Sequence, residues 1–188
     1  IQYKNLPKDL INAVIVTEDK RFFSHIGVDL KGIIRATYVN LKAGKIVQGG
    51  STITQQLAKN LFLTPERSFT RKLHELILSF WLEMRFTKQQ LLSIYLNRVY
   101  LGSGTYGVQA ASEKYFNKKV EELNLYECAL IASLLKAPSK YNPISNEKLS
   151  RIRTSKVLEN IAKNKLITFR NVKEAQLNNK KYDKFTSA

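Results

Sequence analysis

Four stretches of this sequence place acids, amides and cations at spacings that packing alone does not demand. TEDKRFFSHIG puts Glu18 and Asp19 where an apolar helix should end, followed by Phe22, Phe23 and His25. Carboxylates at a helix C-terminus oppose the macrodipole, so they cost stability unless something else uses them. GGSTITQQLAKN opens a helix with Ile53, Leu57 and Leu61 on one side and Thr52, Gln56 and Lys59 along another. That second stripe offers hydroxyl, amide and ammonium groups near a helix N-terminus, suited to a sugar phosphate. RKLHE sets Arg71 four residues before Glu75 and Lys72 three before it, spacings that meet on a helix surface. YLNRVYLGSGTYGVQAA joins a helix end to a loop rich in glycine and tyrosine.

These groups need a scaffold, and helical periodicity dominates the chain. The pattern predicts helices from about Pro7 to Glu18 and from about Leu30 to Ala43. After the break at Gly49 and Gly50, Thr52 and Gln55 form a capping box for the next helix. Thr64 and Pro65 read as the start of a helix reaching about Phe86, apolar nearly all round between Leu76 and Leu82, as a central buried helix should be. Thr87 and Gln90 cap another that reaches about Tyr100. Further helices are expected at about Val108–Phe116, Leu125–Lys136, Asn146–Asn164 and Thr168–Asn179. With no internal repeat or low-complexity linker, the expectation is one mainly α-helical domain over 1–188.

Composition narrows the classes. The chain has 188 residues, 31 of them basic and 15 acidic, for a net charge of +16. That excess points to a polyanionic partner: nucleic acid, anionic headgroups or a phosphorylated substrate. A nucleic-acid binder should cluster its basic residues on one face among stacking aromatics. Here they are scattered, and the expectation is no nucleic acid. No window holds the ~18 apolar residues needed to cross a bilayer. A first residue of Ile rather than Met suggests a fragment whose membrane anchor lies upstream. Cys128 stands alone in an apolar run and reads as core, and two histidines with one cysteine argue against zinc.

In this order, EDKRFFSHIGVD, GGSTITQQLAKNLF, RKLHE, LLSIYLNRVYLGSGTYGVQAAS and ALIASLLKAPSKYNP resemble the glycosyltransferase family 51 domain of peptidoglycan glycosyltransferases. The resemblance covers about residues 12 to 143. It implies a lysozyme-like, two-lobed helical fold whose smaller, membrane-facing lobe lies within about 28–63. The segment VNLKAGKIVQGG in that lobe looks mobile. Implied too is an inverting enzyme that polymerises lipid II into β-1,4-linked glycan strands and releases undecaprenyl pyrophosphate. Its place would be the extracytoplasmic face of the bacterial cytoplasmic membrane.

Carried onto this sequence, the resemblance makes Glu18 the base that deprotonates the attacking sugar hydroxyl and Glu75 the second essential carboxylate, near the donor pyrophosphate. Asp19, Phe23 and His25 would shape the site around the base. Thr52, Gln55, Gln56, Lys59 and Asn60, with Arg67, Arg71 and Lys72, would contact substrate, and moenomycin-type inhibitors would bind the same donor site. A carboxylate beside a pyrophosphate is repulsive, so either Glu75 is protonated or Mg²⁺ or Mn²⁺ bridges the two, with Glu75 as the metal's protein ligand. Inverting glycosidases hold their carboxylates ~6.5–9.5 Å apart to admit water. Admitting a sugar instead predicts at least that separation for Glu18 and Glu75.

A glycosidase that cuts peptidoglycan is the nearest rival, disfavoured by the basic Lys59 and Arg67, which a neutral leaving group does not need. SLLK and SNEK match the S-x-x-K pattern of transpeptidases, but no K-T-G follows. A transpeptidase domain is therefore expected to be absent from these residues.

Overall fold

A computed structural model describes residues 1–64 and 68–178 of the chain. Among the described residues the regular structure is helical: α1 (Lys8–Glu18), α2 (Leu30–Ala43), α3 (Ile53–Phe62), α4 (Phe69–Arg85), α5 (Lys88–Arg98), α6 (Val108–Phe116), α7 (Leu125–Leu134), α8 (Glu147–Lys163) and α9 (Phe169–Asn178). Two isolated β-bridges, Ile26 with Val28 and Tyr100 with Tyr106, pin short turns. The chain divides into two compact units, one of Ile1–Glu18 with the segment from Leu96 onward, the other of Asp19–Tyr95. The second unit contains the 28–63 stretch and extends beyond it on both sides.

In the first unit α7 is the central element. Every residue from Tyr126 to Leu134 is buried, and α1, α6, α8 and α9 all pack against this helix. Its start is fixed locally. Asn124 Oδ1 accepts from Glu127 N–H at 3.0 Å while Glu127 Oε2 accepts from Asn124 N–H at 2.8 Å. The fully buried Glu127 is also paired with Lys118 Nζ at 2.7 Å, which leaves its carboxylate compensated. Cys128 lies in this core as expected, and burial pushes its thiol well above the ordinary range, so it is poorly suited to act as a nucleophile.

In the second unit Phe22, Ile53, Leu57, Leu82, Leu91, Leu92 and Tyr95 form the core. α3 packs along α4. Helix starts follow local chemistry: Asp29 caps α2 by accepting from Gly32 N–H, and Ser68 caps α4 by accepting from Arg71 N–H. α4 thus begins at Phe69, whereas the expected start at Pro65 lies outside the described residues. Of the 39–50 segment expected to be mobile, residues 39–43 belong to α2, and the loop after it is bracketed by Asn40, which accepts from Val47 and Gln48 N–H and donates to Gln48 O.

The expectation for α4 needs correcting. Only Glu75, Ser79 and Leu82 of this helix are buried. Leu73, Ile77, Phe80, Trp81 and Met84 are exposed, and α2 likewise exposes Leu30, Ile34, Tyr38 and Leu41. An all-round apolar pattern reports only that a helix lacks a polar face, and here much of that surface has no protein cover.

Candidate active site

The first motif is held by its second carboxylate. Glu18 is half-buried at the last position of α1. Asp19 is buried, and each of its oxygens lies 3.0 Å from His25 Nε2. Its Oδ2 also accepts from Ile53 N–H, the first helical residue of α3, at 3.1 Å. With a carboxylate as partner, Nε2 carries the ring proton. Phe22 is fully buried with its ring 6.3 Å from His25 and 5.1 Å from Phe23, whereas Phe23 is half exposed. The aromatic that packs under this segment is therefore Phe22, one residue before the Phe23 singled out in the sequence. Gly27 closes the motif at φ +74°, a conformation that favours glycine, and an added Cβ would also stand tight against the Ser79 backbone at 3.3 Å.

The second motif is built as expected at its start, but its polar stripe is less open. Thr52 Oγ1 accepts from Gln55 N–H and donates to Gly27 O at 2.5 Å, and Gln55 Oε1 accepts from Thr52 N–H. Both side chains are buried. The cap and the tie to Gly27 use these groups, so the Thr52 end of the polar stripe is buried. Gln56 is half-buried, its Oε1 accepting from the buried Tyr95 hydroxyl at 3.0 Å. Lys59 and Asn60 are exposed.

Glu75 is buried on α4. Lys72 Nζ bonds its Oε1, and Arg71 Nη1 stands 3.8 Å from its Oε2. Lys72 also reaches Ser51 Oγ at 3.3 Å, on the residue before the α3 cap. A surface ion pair would be worth little, but here the carboxylate is buried, and its cations lie nearer the surface. Arg67 lies outside the described residues. Among the described residues no three His, Cys, Asp or Glu side chains gather as metal ligands, and both Glu75 oxygens already face cations.

A transglycosylase family model matches residues 1–162. This chain belongs to the transglycosylase family. As a transglycosylase domain it is an enzyme of peptidoglycan glycan synthesis, a peptidoglycan glycosyltransferase. It is 49% identical over 175 residues to penicillin-binding protein 1A of Aquifex aeolicus, covering 93% of this chain and 24% of that protein. The counterpart in Pseudomonas aeruginosa is 46% identical over 163 residues, covering 87% and 20%. The crystal structure of penicillin-binding protein 1A from Haemophilus influenzae superimposes with a TM-score of 0.56 at 26% identity, over 94% of this chain and 17% of that one. The chain thus spans about a quarter of the length of such relatives.

The fourth motif of the transglycosylase domain is absorbed by packing. Leu101 O accepts from the buried Tyr115 hydroxyl at 2.9 Å, and Asn142 Nδ2 donates to Ser103 Oγ at 2.7 Å. Thr105 ties back to Gly102 O through both its N–H and its hydroxyl. A Cβ at Gly107 would meet Asn97 O at 2.6 Å, so this loop is a close-packed corner. Burial raises the Tyr115 phenol above its ordinary value, against the lowering effect of Ser103 and Thr105. The sequence placed Phe23 rather than Phe22 at the site and gave Tyr95 no role. Nothing in an FF pair on a single short 3-10 turn says which ring turns inward, and Tyr95 meets Gln56 across 39 residues.

Proposed function

We propose that this transglycosylase domain polymerises lipid II into β-1,4-linked glycan strands with inversion at the anomeric carbon. In this reading Glu18 takes the proton from the 4-hydroxyl of the incoming lipid II, and O4 forms a bond to C1 of the growing strand. The bond from C1 to the α-linked diphosphate breaks, and undecaprenyl pyrophosphate departs with the electron pair. A sugar hydroxyl is too weakly nucleophilic near neutral pH to react unaided, so a positioned carboxylate supplies general-base catalysis. Lys72, Arg71 and Lys59 would receive the departing charge. The observation that carries the reading is the buried Glu75 with Lys72 and Arg71 on its two oxygens. A neutral glycan needs no such cationic grip, whereas a diphosphate does.

Glu75 in this role acts through its cations, which removes the repulsion that a bare carboxylate would impose. No step requires a metal held by the protein. Phosphoglycolipid inhibitors of the moenomycin type would compete for the same cations.

The domain would work at the extracytoplasmic membrane surface, where both the donor and the acceptor are lipid-anchored. Supporting this are the exposed apolar side chains of α2 and α4 and the net charge of +16. Among the described residues no helix is long and apolar enough to cross a membrane. Labelled lipid II resolved on gels, with and without divalent cation, tests the reaction, and purified glycan strands serve as the alternative substrate. Ladders of extended product from lipid II are expected. Shortening of glycan strands with no use of lipid II would make the protein a hydrolase instead.

A further inference from the structure

One carboxylate oxygen gathers three helices of the Asp19–Tyr95 unit. Thr54, fully buried on α3, donates from Oγ1 to Glu83 Oε1 at 2.6 Å. Lys88, the first residue of α5, donates from Nζ to the same oxygen at 2.7 Å. Glu83 lies near the end of α4, and the ion pair is largely shielded, with side chains 5% and 19% exposed. The Lys88 ammonium also sits 4.5 Å from the centroid of the Phe22 ring. Phe22 stands edge-on to His25, His25 holds Asp19, and Asp19 accepts from the start of α3. Contacts therefore run without a gap from Glu83 through Lys88, Phe22 and His25 to the residue that follows Glu18.

An ammonium shielded from water and shared between a carboxylate and an aromatic face is held far more firmly than a solvated surface lysine. We propose that Lys88 is a positioning residue for glycosyl transfer. It pins the Phe22 ring and so fixes His25, Asp19 and the backbone leaving Glu18. This rests on the reading of Glu18 as the base. Lys88 itself touches neither substrate nor reacting atoms. The requirement is for a cation above the ring, so length and hydrophobicity alone do not substitute for it.

The test compares Lys88→Arg with the double variant Lys88→Met, Glu83→Gln in the full chain. The second change avoids leaving a buried carboxylate unpaired. The chain has two histidines, and His74 is exposed, so the ring signals of His25 can be followed by NMR against an internal control. In the double variant kcat on lipid II is expected to fall roughly 10- to 100-fold, the scale of a slightly misplaced catalytic group. KM stays within about threefold, because ground-state binding is untouched. The His25 ring signals shift or broaden while those of His74 stay, and Lys88→Arg recovers most of the turnover.

Unchanged kcat with an unmoved His25 signal would overturn the proposal, as would a rise in KM alone. Phe22→Leu supplies an independent arm if the double variant fails to fold. It removes the ring without stranding a charge, and an unmoved His25 signal there also defeats the proposal. Should the unaltered protein fail to use lipid II, the functional reading falls, and the His25 signal still decides whether Lys88 positions this segment.

Discussion

A carboxylate at the end of a helix faces the negative end of the macrodipole. Asp19 follows α1 directly, yet its oxygens accept from His25 and from Ile53 N–H at the positive end of α3. Of the two acids that looked misplaced in the sequence, Asp19 locks the segment, and Glu18 is the one the proposed reaction uses as base. Glutamine is nearly isosteric with glutamate and cannot take a proton at its amide. Glu18→Gln should therefore lower lipid II turnover by about 10²- to 10⁴-fold, the usual contribution of a general base. Donor binding should change little, and titration of a donor analogue against both proteins checks this. Retained turnover removes Glu18 from the role. Lys59, exposed on α3, is assigned to the diphosphate in the proposed reaction. A charge-assisted contact is worth about 1.5–3 kcal/mol, so Lys59→Ala should weaken a phosphorylated ligand roughly tenfold or more. A phosphate-free glycan should be nearly unaffected. Paired affinity measurements decide this, and equal losses on both ligands rule out the phosphate contact.

The helices show which signals are local enough to read. The limits of α2 and α6 fall where the pattern placed them, and the Thr52–Gln55 box forms as expected, because caps and periodicity act within a few residues. Burial is not local. α7 is apolar along nearly its whole length and is enclosed by four other helices, while α4, apolar all round only between Leu76 and Leu82, leaves Phe80, Trp81 and Met84 exposed. The site has the same division. Glu75 with Lys72 and Arg71 was legible from spacing, whereas the Asp19 bond to Ile53 spans 34 residues and depends on the packed unit. Thr52 joins both kinds of signal, as a local cap and as a long-range donor to Gly27 O. Thr52→Ala should cost about 1–3 kcal/mol from the lost cap and the orphaned carbonyl. In a chain of this size that lowers Tm by roughly 2–12 °C. Thr52→Ser keeps both bonds and should melt near the unaltered protein. Equal melting of all three would show that the tie to Gly27 contributes nothing.

Across the molecule, a charge of +16 and the uncovered apolar side chains of α4 bear on one question, how the domain would meet the lipid-anchored substrates of the proposed reaction. The two terms respond differently to salt. Basic residues near an anionic surface contribute about 1 kcal/mol each, but only within a Debye length of ~8–10 Å at moderate ionic strength. Apolar insertion is not screened and scales with buried area, about 1.5–3 kcal/mol for a large aliphatic side chain. Binding to vesicles containing anionic lipid should therefore weaken as salt rises and then level off at a residual that reports the apolar part. Ile77 and Met84 are 57% and 76% exposed, so changing both to glutamate removes little packing that the fold uses. Ile77→Glu with Met84→Glu should leave Tm nearly unchanged while lowering the salt-resistant binding at least ~10-fold, since two insertions are lost and two repelled charges added. Cosedimentation with vesicles across a salt series measures both terms at once. If the double variant binds at high salt as well as the unaltered protein does, these residues of α4 do not enter the membrane, and attachment rests on charge alone.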